Sequence, residues 1–253
     1  MDQLSADLWE FGTAGIRELD YSGKAVLIAG FETNQQRTEL LRHFEKYAPE
    51  WEREDSTDWV RHTEESWPAR EIGEKVFLAP LWSGESTPPG RVRVVHNPGL
   101  ACGTGEHPCT QLALAAIERY VVQGTRLVDI GTGSGILAIA ALTLGVERAV
   151  GFDPDTAALQ TARENFSLNS VETALVAGSV DCVATGCSDL TVANISGSVL
   201  LSIFDDLLRI TVPGGRLILT GYNESELAFF LRLLPGADVT AINEWRCVVA
   251  KIS

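Results

Sequence analysis

Three glycines crowd into five positions of Asp129-Ile-Gly-Thr-Gly-Ser-Gly135, between the apolar pair Leu127-Val128 and the run Ile136-Leu-Ala-Ile-Ala-Ala-Leu142. Such a stretch reads as a short buried strand, a sharp turn with nothing bulky at it, and an apolar helix. A turn of this shape leaves amide N–H groups at a helix start, where they can meet the polar face of a ligand. Its spacing is not the dinucleotide fingerprint Gly-x-Gly-x-x-Gly, because the third glycine is Gly135 and position 136 is Ile. Twenty-two residues beyond Gly131, Arg148-Ala-Val-Gly-Phe-Asp153 reads as a second strand ending in a carboxylate, well placed to accept hydrogen bonds from two ribose hydroxyls. No arginine adjoins that carboxylate, which argues against a 2′-phosphate. The chemistry available to this constellation is therefore the holding of a nucleoside.

Two further stretches supply polar groups. Asn97-Pro-Gly-Leu-Ala-Cys-Gly-Thr-Gly-Glu-His-Pro-Cys-Thr110 precedes a helical run from Gln111 to Val122 and has the composition of a shaped loop, with Thr104 and Thr110 its obvious donors. Leu190-Thr-Val-Ala-Asn-Ile195 is a strand whose polar end, Asn194, would enter the same cleft.

The elements that must position these residues alternate regularly. After Asp153 come a helix over 156–169, a strand over 173–177 ending at Gly178-Ser179, the strand 190–195, a helix over 198–211 closed by Pro213-Gly-Gly215, a strand over 216–220, a helix over 224–234, and the strand pair 238–245 and 246–252. Alternation of this kind requires a parallel sheet with both faces covered, and a final pair without an intervening helix adds an antiparallel member. Ligands bind beyond the carboxyl ends of such strands, where Gly131, Asp153 and Asn194 all fall. Upstream, helix 3–14, strands 16–19 and 25–29, and helix 35–47 read as a small α+β unit, and 75–82 and 91–96 as connecting strands. Residues 1–58 are accordingly assigned to a small α+β domain, 59–95 to a linker with connecting strands, and 96–253 to the nucleoside-binding domain.

Composition sets outer limits. With 253 residues, 45% hydrophobic and 21% charged, the chain can build one large or two modest cores. A net charge of −14 disfavours direct nucleic-acid binding and suits a basic partner. The charge concentrates at 45–74, with ten Asp or Glu against four Lys or Arg. Trp51, Trp59 and Trp67 in that segment speak for packing rather than disorder. The five scattered cysteines suit free thiols in a reducing compartment, and the absence of a leader or a spanning apolar run suits the cytoplasm rather than a membrane.

Asp129-x-Gly-x-Gly-x-Gly135 with Asp153 resembles motif I and its acidic partner in S-adenosylmethionine-dependent methyltransferases. Together with the 97–110 loop, Val192-Ala-Asn-Ile195 and the upstream pattern Trp59…Trp67-Pro…Ile72-Gly-Glu-Lys-Val-Phe-Leu, it resembles the ordered motif set of the PrmA family, methyltransferases of large-subunit ribosomal protein eleven. The resemblance implies a Rossmann-like class I methyltransferase fold, a seven-stranded, mostly parallel sheet with the last strand antiparallel, behind an N-terminal domain that recognises the ribosomal protein. It implies S-adenosylmethionine as cofactor, S-adenosylhomocysteine as product, and amino groups as acceptors. Thr104, Thr110, Asp129, Gly131, Gly133, Gly135, Asp153, Ser179 and Asn194 take cofactor positions, with Ser179 and Val180 bordering the adenine. The chain departs from the family at Cys102, Glu106 and Cys109, where Phe, Thr and Thr are usual, and at Ser196-Gly197, where Leu-Ala is usual.

A sulfonium donor carries its own leaving group, so the protein has mainly to align a neutral nucleophile with it; no nucleophilic side chain or metal is needed. A lysine amine has a reference pKa near 10.4, so holding it neutral at pH 7 costs about 4–5 kcal/mol. Asn194 is the residue expected to orient the amine and Glu106 the candidate proton acceptor, with His107 a loop-shaping residue. Two alternatives stay open: a methyltransferase of another protein or a small molecule, and a cofactor-binding relic that no longer transfers methyl groups. Adenine-N6 and glutamine acceptors fit poorly, since positions 194–197 lack a polar-Pro-Pro-aromatic motif.

Overall fold

The computed structural model describes residues 4, 8, 11, 13, 15–21, 24–31, 37–52, 67–97 and 105–253. The expected helix over 3–14 lies almost wholly outside them, as do Trp59, Cys102 and Thr104. The chain divides into two compact units, Met1–Arg61 and His62–Ser253.

In the first unit, β1 (Gly15–Tyr21) and β2 (Lys24–Gly30) form an antiparallel hairpin whose register closes at Tyr21 opposite Lys24. Helix α1 (Arg37–His43) follows. The sequence suggests one helix over 35–47; instead the last turn tightens into a 3-10 turn at Glu45–Tyr47, stopped by Ala48 in the left-handed region ahead of Pro49. Leu8, Leu40 and Phe44 form the core, against which Trp51 packs while stacking on Phe31.

The second unit opens with a three-stranded sheet, β3 (Arg70–Ile72), β4 (Val76–Pro80) and β5 (Val92–His96), β4 pairing antiparallel to β3 and parallel to β5. β3 is too short to show a period in the sequence. Trp67 stacks on Trp82. Helix α2 (Pro108–Tyr120) starts earlier than its apolar stripe suggests, because His107 caps it and Pro108 takes the first turn.

The main sheet then forms from β6 (Arg126–Ile130), β7 (Arg148–Asp153), β8 (Ala174–Ala177), β9 (Ser188–Asn194), β10 (Thr211–Asn223), β11 (Asp238–Ile242) and β12 (Trp245–Lys251). Between them run α3 (Ile136–Thr143), α4 (Thr156–Leu168), α5 (Gly197–Ser202), α6 (Phe204–Ile210) and α7 (Glu224–Leu233). The expected single helix over 198–211 is broken at Ile203, which leaves the helical region, and β10 begins at Thr211. Spatial order is β11-β12-β10-β9-β6-β7-β8; β12 alone runs against its neighbours. This is the seven-stranded, mostly parallel architecture that the alternating pattern and the family resemblance imply. The chain winds outward from β6 through β8 and then returns to β9 on the other side, so a crevice opens between β6 and β9 at the sheet's carboxyl edge.

Alternation along the strands feeds two cores. Leu127, Leu190, Val192, Ile218 and Val249 face one side, where α2, α3, α4 and the three-stranded sheet pack. Val128, Ala193, Leu217, Leu219 and Val248 face the other, against Leu200, Leu207 and Phe230 of α5, α6 and α7. Six successive residues of α3, Ile136–Ala141, are buried, so this helix anchors the glycine turn rather than merely following it.

Candidate active site

Gly131, Gly133 and Gly135 all have positive φ, at 72°, 52° and 81°, a backbone path closed to most side chains. A Cβ on Gly131 would stand 2.3 Å from the Ile195 side chain, and one on Gly135 would stand 2.8 Å from Phe166. The turn is tied to β7 by the amides of Gly131 and Thr132, which donate to the Phe152 carbonyl at 2.8 and 2.9 Å.

Asp153 closes the arrangement. One carboxylate oxygen accepts the Gly133 amide at 2.9 Å and the other the Asp155 amide at 2.9 Å, so the side chain is fixed before any ligand arrives, with lone pairs left on both oxygens. The Gly178 amide donates to the Asp153 carbonyl at 3.1 Å, setting half-buried Ser179 beside it. Across the crevice, the Asn194 side-chain amide donates to the hydroxyl of buried Thr110 at 3.2 Å, joining the end of β9 to the first turn of α2.

Asp129 is fully buried, and its Oδ1 has no hydrogen-bond partner. Burial pushes its pKa up from 3.8 to about 7, against the pull of the Thr132 hydroxyl, which donates at 2.7 Å, and of the nearby Ala138 amide. The folded-state value lies above the unfolded one. Stability therefore falls as pH rises from about 4 to about 7 and levels off beyond, where ionising Asp129 costs on the order of 4 kcal/mol. A cationic ligand beside this carboxylate favours its charged form, so the affinity for a cation is expected to rise about tenfold between pH 5.5 and pH 8. Calorimetric titration at both pH values checks this, and Asp129→Asn should flatten both profiles; a slope that survives in the variant would assign it elsewhere.

Sequence reasoning missed Asn165. It is fully buried on α4, where it donates to the Ser134 carbonyl at 3.0 Å and accepts the Asn97 amide at 2.9 Å, while Asn169 one turn later brackets Val95. The pair ties β5 and its loop to the glycine turn. The available signal was two asparagines four apart on a stripe otherwise filled by Leu159, Ala162 and Phe166.

Glu106 lies ahead of α2, ion-paired with Arg70, and its carbonyl accepts from Gln111 at 2.8 Å. His107 accepts the Cys109 amide at 3.3 Å and sits edge-on to Trp245 with ring centres 4.5 Å apart, positions that shape the start of α2. Cys109, Cys182, Cys187 and Cys247 are free thiols.

With this geometry in view, similarity to known proteins is decisive. The family model for ribosomal protein L11 methyltransferase (PrmA) matches residues 5–251. The chain belongs to this family. Ribosomal protein L11 methyltransferase of Clostridium perfringens is 32% identical over 266 residues, spanning 96% of this chain and 84% of the relative. That of Desulfosudis oleivorans is 34% identical over 211 residues, covering 78% and 68%. The crystal structure of ribosomal protein L11 methylase from Lactobacillus delbrueckii subsp. bulgaricus superposes with a TM-score of 0.68 at 29% identity, covering 74% of this chain and all of that one. A Thermus thermophilus 16S rRNA N2 G1207 methyltransferase, solved with AdoMet and guanosine, shares the fold with a TM-score of 0.53 at 19% identity, over 62% of this chain and 46% of that one.

The L11 methyltransferase family member described here is a methyltransferase, and its cofactor is S-adenosylmethionine. The residues present fit that group: three left-handed glycines open the backbone, Asp153 retains acceptor capacity for ribose hydroxyls, and the orphaned Asp129 oxygen suits the donor's positive charge.

Proposed function

We propose that the chain transfers methyl groups from S-adenosylmethionine to amino groups of ribosomal protein L11, on a lysine side chain, the N-terminus, or both. The observation that carries this reading is the Asn194–Thr110 pair at the carboxyl edge of the sheet, the edge that also carries Gly131 and Asp153, in a chain of the L11 methyltransferase family. In it, Thr110, Asp129, Gly131, Gly133, Gly135, Asp153, Ser179 and Asn194, together with Thr104, hold the cofactor. The bound donor supplies an electrophilic methyl carbon with a neutral thioether as leaving group.

The chain's own task is to present an unprotonated amine in line with that carbon. Thr110 accepts one proton of the Asn194 amide group and so fixes its carbonyl oxygen, which can accept from the incoming amine. Glu106 takes the amine's proton, which requires its carboxylate to be shared between Arg70 and the arriving ammonium. Residues 1–58 serve as the recognition domain, 59–95 as linker and connecting strands, and 96–253 as the transfer domain. The net charge of −14, densest at 45–74, favours a basic protein partner over nucleic acid, and such a substrate places the work in the cytoplasm.

Intact-mass spectrometry of L11 after incubation with the enzyme and donor tests the reading. L11 should gain mass in whole methyl increments, with the modified sites mapping to amino groups. Asn194→Ala should slow the transfer by about a hundredfold through lost alignment. Methyl groups found only on another acceptor would remove L11 from the proposal, and none on any acceptor would leave a binding relic.

A further inference from the structure

At the opposite edge of the main sheet, where the parallel strands begin, lies an open groove of about 580 Å³, within the size range of small-molecule sites. Its apolar floor comes from Val122, Leu190, Val212 and Pro213. Leu190 and Asn194 stand four residues apart on β9, so this groove is about 13 Å along the strand from the methyl-transfer crevice.

Its charge is unusual for so acidic a chain. Arg216 is half-buried, with its guanidinium 4.2 Å from the centre of the Tyr120 ring, and Arg119 lies 5.3 Å from the same ring. Among the described residues, neither side chain makes an ion pair or a hydrogen bond. Of the acids nearby, Asp189 is ion-paired, accepting both the Nε and the terminal nitrogen of Arg126 at 2.8 and 2.7 Å, while Asp238 accepts the Tyr120 hydroxyl at 2.7 Å and keeps its charge, so two arginines and Lys251 face one uncompensated carboxylate. Arg216 also stands directly opposite Lys251 in the antiparallel β10–β12 register. Like charges so placed repel.

We propose that this groove binds a small organophosphate of nucleotide size, its phosphate between Arg216, Lys251 and Arg119 and its flat body on the apolar floor. A planar guanidinium already held over an aromatic ring is preorganised to grip phosphate oxygens in a fork, and a neighbouring ammonium adds a point charge. The anion would cancel the Arg216–Lys251 repulsion, so occupancy should also stabilise the β10–β12 pair.

The test is calorimetric titration of the full chain with adenosine 5′-monophosphate, with adenosine and inorganic phosphate titrated separately, all in saturating S-adenosylhomocysteine so that the methyl-transfer site is filled. The monophosphate should bind with one-to-one stoichiometry, more tightly than either fragment, and weaken with added salt. Arg216→Ala and Lys251→Ala should each lower its affinity about tenfold while leaving S-adenosylhomocysteine affinity unchanged. No binding at millimolar concentration, equal binding by phosphate alone, or unaltered affinity in both variants would each overturn the proposal.

Discussion

Asp153→Ala is expected to weaken S-adenosylmethionine binding about a hundredfold while the protein stays folded. The size follows from two losses that fall together. Each charge-assisted bond to a ribose hydroxyl is worth about 1.5–3 kcal/mol, and a hundredfold corresponds to about 2.7 kcal/mol. The second loss is the tether of the glycine turn: the Asp153 carboxylate holds the Gly133 amide and the Asp155 amide at 2.9 Å each, so the alanine variant frees the middle of the turn as it removes the sugar's acceptor. Asp153→Asn keeps one acceptor oxygen and turns the other into a donor facing an amide N–H, which should place it between wild type and alanine, near a tenfold loss. Titration with S-adenosylmethionine and S-adenosylhomocysteine measures both variants. An alanine variant whose affinity stays within threefold of wild type would mean that the nucleoside sits elsewhere, and the site assignment would go with it.

The glycine turn, Asp153 and Asn194 were legible in the sequence because each belongs to a local pattern: a strand, a turn that demands positive φ, and a polar residue at a strand's end. The parallel sheet was legible for the same reason, since parallel pairing follows from the alternation of strands and helices, whereas the order of the strands did not. What escaped was non-local. Asn165 acts on residues 31 and 68 positions away, and a buried amide on a helix looks like any other asparagine until its partners are in place. The ion pair of Glu106 with Arg70 spans 36 positions and could not be read from the loop that contains Glu106. The placement of Lys251 opposite Arg216, a lining residue of the groove, depends on strand register, which a one-residue slip would have altered. The break at Ile203 was hidden because the apolar spacing continues through it, while the backbone does not.

Gly221 shows how far a site can depend on a residue with no side chain, and its replacement by alanine carries the largest expected effect on the transfer unit. It lies in the irregular step of β10 between Thr220 and Tyr222, with φ of 103°. A Cβ there would stand 2.2 Å from the Ile195 carbonyl oxygen, 2.6 Å from its carbon and 2.8 Å from its nitrogen. All three are backbone atoms, so no rotamer change relieves the clash. Ile195 cannot retreat freely either, because its side chain fills the space that a Cβ on Gly131 would occupy, and its amide donates to the Thr220 carbonyl at 3.2 Å. The strain must pass to Asn194 on one side or the glycine turn on the other. Gly221→Ala is therefore expected to cost at least about 3 kcal/mol, a fall of roughly 6–12 °C in the melting temperature of the 62–253 unit, and to lower kcat as well as donor affinity. Gly236 separates the two causes: its φ is 80°, but nothing lies within 4 Å of its Cβ position. Gly236→Ala should show the backbone penalty alone, about 1 kcal/mol, with kcat unchanged. Equal losses in the two variants, measured by thermal unfolding and methyl transfer, would mean that contact with Ile195 plays no part and that Asn194 is positioned by something other than the bend at Gly221.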